Sequence, residues 1–126
     1  MGTVFVSGGS GYIALHCIAK LIDKGFNVKT SLRTMSRKEE IIKSISKVVE
    51  CKNKIDFCEL DLLEDDGWDE AINGCDYVLH LASPVMFGVP KNSDVLIKPA
   101  LGGIERCIKA AVKNRVKRFV MTSSFA

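Results

Sequence analysis

The chain has 126 residues, of which 47% are hydrophobic and 26% charged, with a net charge of +3; this is the profile of one globular domain, not of a disordered or fibrous chain. The basic residues are spread along the sequence, which argues against nucleic acid or an anionic membrane surface as a partner. No apolar run reaches the roughly 18–20 residues of a bilayer span, and residues 3–7 read as a buried strand and not as the core of a signal peptide.

In chain order, Thr3-Val4-Phe5-Val6-Ser7 is a short β-rich run that breaks at Gly8-Gly9. Ile13, Cys17, Ile18, Leu21 and Ile22 then recur at helical spacing over residues 11–24, and Gly25 supplies the stop. Residues 27–32 alternate as a second strand. Ser36 is the expected N-cap, with Glu39 and Glu40 in the first turn, of a helix reaching about Val48. A third strand is expected over residues 55–60, an acidic turn at Asp61, and a short helix around 68–72. Residues 76–81 make the fourth strand. A loop with Pro84 and Pro90 leads to a long helix over about 94–114, in which Pro99 should either cause a kink or mark the true start. Residues 116–122 form the fifth strand.

Strands rich in Val, Ile and Leu alternating with helices predict an α/β fold, a doubly wound parallel sheet covered on both faces. Right-handed crossovers favour the Rossmann order 3-2-1-4-5. Strands 1 and 4 are then neighbours at the switch point, and a ligand is expected at their carboxyl ends. The five cysteines are odd in number and scattered, with no Cys-x-x-Cys or Cys/His grouping. Neither a disulfide framework nor a metal site is expected, and buried thiols in the reducing cytoplasm are the natural reading.

Gly8-Gly9-Ser10-Gly11-Tyr12-Ile13-Ala14 lies between a strand and a helix. Glycines there let the backbone approach a pyrophosphate, and the helix N-terminus behind them offers free N–H groups. A site for NAD(H) usually places an acid about 20 residues further on, for the ribose 2′-hydroxyl. Here the second strand ends Ser31-Leu32-Arg33-Thr34, and a guanidinium suits a 2′-phosphate, hence NADP(H). Arg37 and Lys38 fit the same phosphate or ordinary helix-surface charge equally well. Asp61 suits either the exocyclic amine of adenine or the N-cap of the next helix. Thr122-Ser123-Ser124 places hydroxyls at the carboxyl edge, where a nicotinamide and a substrate would meet. His16 and His80 read as structural, since neither shows an acid–base partner in the sequence.

Several segments in order resemble the extended short-chain dehydrogenase/reductase superfamily, and within it the dihydroflavonol reductase and cinnamoyl-CoA reductase group. They are Val4 through Ile13, Leu32-Arg33, Asp61-Leu62, His80-Leu81-Ala82-Ser83-Pro84-Val85, Ile97-Lys98-Pro99-Ala100, and Val116 through Ser124. The resemblance covers essentially the whole chain. It implies that Gly8, Gly11, Tyr12 and Ile13 cradle the pyrophosphate, Arg33 meets the 2′-phosphate, and Asp61 and Leu62 flank adenine. Leu81, Ala82 and Ser83 would line the ribose and nicotinamide side; Lys38 and Thr122 join the cofactor-binding candidates from their own positions. Ser124 matches the catalytic serine that polarises a small carbonyl substrate during hydride transfer.

Two departures stand out. Ala14 replaces the group's frequent third glycine, and no tyrosine follows Tyr77, so the family's Tyr-x-x-x-Lys pair is absent. Residues 1–126 are therefore expected to be an incomplete NADP(H)-binding domain, truncated after strand 5 and lacking a C-terminal substrate lobe. Such a chain should be inactive alone and should cover its apolar fifth strand, for instance by self-association. A nucleotide-sugar epimerase or dehydratase, a hydroxysteroid-type dehydrogenase, and a non-catalytic NADP(H)-sensing module remain open alternatives.

Overall fold

The computed structural model describes residues 2–8, 12–51, 53–61, 67–81 and 94–121, with the backbone alone for 94–100. Its elements are β1 (Thr3–Ser7), α1 (Tyr12–Asp23), β2 (Asn27–Leu32), a 3-10 turn (Met35–Arg37), α2 (Lys38–Ser46), β3 (Ile55–Glu59), α3 (Trp68–Ile72), β4 (Tyr77–His80), α4 (Asp94–Lys113) and β5 (Arg118–Met121). The five strands form one parallel sheet in the order β3-β2-β1-β4-β5, as the alternation of strands and helices predicts. Val4 lies opposite Val28 and Tyr77, Val28 opposite Ile55, and Tyr77 opposite Arg118. That register brings Ser7, Leu32, Glu59, His80 and Met121 to one edge.

Side chains alternate across a strand, so β1 feeds two cores. Val4 and Val6 join Ile18 and Ile22 of α1, Val28 and Leu32 of β2, and Ile41 and Ile45 of α2. Phe5 points the other way, toward Trp68 and Ile72 of α3, Val78 of β4, and Cys107, Ala110 and Ala111 of α4. Each fully buried aliphatic or aromatic side chain contributes about 1.5–3 kcal/mol through removal from water, and this requirement on both faces explains the near-continuous apolar strands. Among the described residues no helix is long and apolar enough to cross a membrane.

Three local expectations are corrected. Thr34, not Ser36, caps the segment after β2: its extended backbone (φ −143°) lets Oγ1 accept from the Ser36 N–H at 3.4 Å, and a 3-10 turn precedes α2. Proline lacks the N–H that would reach the carbonyl of residue 95, yet α4 begins at Asp94 and continues past Pro99 to Lys113. Pro99 is therefore not its start. Strands β4 and β5 are also shorter than expected. Asp76 stays outside β4 because its carboxylate accepts the Thr3 N–H at 3.0 Å, and Val116 closes the end of α4 by donating its N–H to the Ala111 carbonyl.

Candidate functional site at the carboxyl edge of the sheet

The chain leaves β1 through Gly8, whose φ of 76° lies where a side chain is strained. Its N–H donates to Ser31 Oγ at 3.0 Å, so this amide is used within the protein and Gly8 contributes backbone shape. One residue earlier, Ser7 is fully buried. Its hydroxyl pairs with His80 Nδ1 at 2.8 Å and accepts the Leu81 N–H at 2.9 Å. Thr30 Oγ1 donates to the Val6 carbonyl at 2.7 Å. The ends of β2, β1 and β4 are thus tied together by hydroxyls beneath the glycine turn.

His80 is 4% exposed and its ring lies at 25° to that of Phe119, with centroids 6.3 Å apart. Burial holds its pKa below the usual histidine value because the charged ring would lose its hydration. Neutral imidazole is the form this position favours. Among the described residues every buried side-chain nitrogen and oxygen has a hydrogen-bond partner.

Tyr12 and Ile13 start α1 and are 78% and 60% exposed; the first turn's N–H groups lack intrahelical acceptors and carry the positive end of the helix dipole. Arg33 is exposed just past β2, and no carboxylate among the described residues pairs with it. Its neighbours are committed elsewhere. Arg37 pairs with Glu40 at 3.4 Å, and Lys38 Nζ sits 5.7 Å from the centre of the Phe57 ring, a cation–π contact. Asp61 follows β3 and is half-buried. The N-cap of α3 is Gly67, which removes the capping role considered for Asp61.

Leu81 follows β4 and packs on the core beneath α1 and α2. Gly8, Tyr12, Ile13, Arg33, Asp61 and Leu81 therefore all fall at or beside the carboxyl edge, with Lys38 at the start of α2. Gly11, Leu62, Ala82, Ser83, Thr122 and Ser124 lie outside the described residues. His16 is exposed on α1, in edge-on contact with Tyr12 at 4.6 Å. A groove of about 710 Å³ runs from Tyr12 along the outside of α1 and α2, past Leu15, Ala19, Ile45 and Val49; it belongs to the helix layer and not to the strand ends. The roles of Ser7, Thr30 and Ser31 escaped the sequence reading. Their signal was the presence of hydroxyls inside otherwise apolar strands, which a parallel sheet must satisfy internally.

Several known proteins share this architecture. The chain is 34% identical over 123 residues to dihydroflavonol 4-reductase of Arabidopsis thaliana, covering 97% of this chain and 32% of that protein. It is 32% identical over 124 residues to vestitone reductase of Medicago sativa, covering 98% and 38%. The crystal structure of yeast methylglyoxal/isovaleraldehyde reductase complexed with NADPH superimposes with a TM-score of 0.84 at 27% identity, over 98% of this chain and 37% of that one. The chain spans about a third of the length of the curated relatives it matches. The pattern of the 3-beta hydroxysteroid dehydrogenase/isomerase family matches residues 5–126, and the chain belongs to that family.

Proposed function

We propose that this chain is the cofactor-binding portion of an NADP(H)-dependent reductase of a small carbonyl substrate. Arg33 carries the reading: an exposed guanidinium, unpaired with any carboxylate among the described residues, stands at the end of β2, where an acid would favour NAD(H). The positive φ of Gly8 and the open start of α1 at Tyr12 and Ile13 suit a pyrophosphate. The reductase relatives and the yeast reductase holding NADPH support the same assignment.

In this proposal Gly8, Gly11, Tyr12 and Ile13 form the pyrophosphate cradle. Arg33 binds the 2′-phosphate, with Lys38 assisting once it leaves Phe57. Asp61 and Leu62 border adenine; Leu81, Ala82, Ser83 and Thr122 border the ribose and nicotinamide. The cofactor supplies a hydride to the carbonyl carbon. Ser124 donates a hydrogen bond to the carbonyl oxygen, and the proton that completes the alcohol comes from an acid elsewhere. Residues 1–126 are then one incomplete domain, and the substrate is chosen outside it.

A cytoplasmic location fits five free cysteines. Self-association through β5 fits an edge strand on which Val120 and Met121 are 47% and 41% exposed, and light scattering on the purified chain tests it. Fluorescence titration with NADPH and NADH tests the cofactor. Arg33→Ala should weaken NADPH by roughly one to two decades, about 1.5–3 kcal/mol for one charge-assisted contact, and leave NADH unchanged. Equal affinity of the unaltered chain for both cofactors would overturn the assignment.

A further inference from the structure

We propose that His80 is a positioning residue for the dinucleotide site, holding the ends of β1 and β4 together by accepting a hydrogen bond at Nδ1 from Ser7. The inference rests on reading the site as one for NADP(H), and it adds a residue whose side chain is buried at the strand ends.

The Ser7 hydroxyl meets both His80 and the backbone that follows β4. With Nδ1 unprotonated, the single hydroxyl proton goes to the ring, at 2.8 Å, while an oxygen lone pair receives the Leu81 N–H at 2.9 Å. Both bonds form at once only in this arrangement or with the ring donating. Burial keeps the imidazole neutral, the state in which Nδ1 can accept, and the proposal takes Nδ1 as the unprotonated nitrogen, which the test below reads directly. The described side chains packed on this side carry no charge, Cys58 and Cys75 included, since burial raises both thiols. β1 brings Phe5 and Ser7 to this side of the sheet, β5 brings Phe119, and α3 brings Trp68, Ala71 and Ile72. From α4 come Cys107, Ala110 and Ala111, with the Cys107 thiol pushed up to about 12 by burial and so uncharged. Arg118, the charged residue of β5, is exposed at the opposite end of that strand.

Protonation of the ring reverses the bond. Nδ1–H must then donate, the Ser7 oxygen must accept from two donors, and a charge enters an apolar layer. His80 has a folded pKa below its unfolded value, so the tie is present above the unfolded value and is lost as pH falls through the folded one. Ser7 precedes Gly8, and Leu81 opens the segment that follows β4. Loosening the tie therefore moves Gly8 relative to Leu81.

The test follows imidazole nitrogens and backbone amides by NMR from about pH 8 to about pH 5, alongside NADPH affinity. The expected result is an unprotonated Nδ1 at neutral pH, amide shifts of Gly8 and Leu81 that track the ring's titration, and NADPH affinity that falls several-fold in acid. His80→Asn, which keeps an acceptor near Nδ1 and cannot become charged, should bind within about threefold of the unaltered chain at neutral pH and show a flat acid limb. His80→Leu should lose about tenfold, the equivalent of one hydrogen bond. Amides indifferent to the ring's titration, or a His80→Asn profile as steep as the original, overturn the proposal. If His80→Leu does not fold, the His80→Asn profile decides. In a chain that binds no NADPH at any pH the cofactor reading fails instead, and the Gly8 and Leu81 amides alone decide whether His80 holds the turn.

Discussion

The two faces of the sheet are built differently. Beneath α1 and α2 the core is aliphatic: Val4, Val6, Ile18, Ile22, Val28, Leu32, Ile41 and Ile45 interlock from four elements. Beneath α3 and α4 the layer is thinner, since α3 has only five residues, and aromatic rings fill it, with Phe5, Trp68 and Phe119 around small α4 residues. On that second face Ser7 and His80 approach the strand ends, buried and hydrogen-bonded to each other. Each face carries a buried hydroxyl bond, but on the first Thr30 reaches only a backbone carbonyl of β1, whereas on the second Ser7 links β1 to β4 through the His80 ring. This difference suggests that substitutions on the first face change stability, whereas those on the second also change the site.

The largest expected effect comes from Phe5→Ala. Phe5 is fully buried on the central strand, and its loss should cost about 3–5 kcal/mol, much of the ~5–15 kcal/mol that holds a typical domain. Ile18→Ala on the other face should cost about 2–5 kcal/mol. Urea unfolding followed by circular dichroism measures both. A Phe5→Ala midpoint close to that of the unaltered chain would mean that the thinner face is not a core at all.

The polar groups sharpen the contrast. Ser7→Ala leaves the half-buried Leu81 N–H without its Ser7 acceptor and removes the buried His80 partner, a loss of about 1–3 kcal/mol. Thr30 lies on the α1 and α2 side and only donates, to the Val6 carbonyl. Thr30→Val keeps the shape and strands no donor, so it should stay within about 1 kcal/mol. Unfolding midpoints of the two variants, measured together, should separate clearly; equal losses would erase the proposed difference between the faces.

That contrast also marks what the sequence could and could not convey. Strand order follows from periodicity and handedness, and both are visible in residues such as Val4, Val6, Val28 and Val78. Gly8 and Arg33 were legible because their chemistry is local: one sets a backbone angle, the other lies where a strand ends. The Ser7–His80 pair was not, because a bond across 73 residues depends on which residues the register brings together. Lys38 was assigned to a phosphate on the basis of its charge, but its contact with Phe57 depends on how α2 lies over β3. Ser36 lost the cap to Thr34 through a single 3-10 turn, a choice worth less than propensities resolve.

A smaller effect concerns alkaline pH and the α3/α4 face. Burial raises the Cys107 thiol to about 12 and the Cys58 thiol to about 11, from an ordinary 9.0. The unfolded chain ionises first, so the stability these thiols contribute is intact below pH 9 and is lost as pH rises toward the folded values. Cys107 alone should account for about 1 kcal/mol by pH 10. Cys107→Ala should flatten the alkaline limb of stability against pH, and a limb as steep as before would show that this thiol is not the group that burial perturbs.

The smallest effect compares how a helix on each face ends. After α1, Gly25 donates to the Ile22 carbonyl at 3.0 Å and Phe26 to that of Leu21 at 3.0 Å. After α4, Arg115 donates to Val112 at 3.2 Å and Val116 to Ala111 at 3.1 Å. Both are the same paired-bond motif, whose turning residue must adopt a left-handed backbone. Gly25 does so freely at φ 96°, whereas Arg115 does so at φ 54° with a side chain attached. Relief of that strain in Arg115→Gly, offset in part by the greater freedom of glycine in the unfolded chain, should stabilise by about 0.5–1 kcal/mol. The reverse change, Gly25→Arg, should destabilise by a similar amount. Thermal unfolding of the two variants tests the pair, and a destabilised Arg115→Gly would show that the arginine side chain stabilises its face by more than its backbone costs.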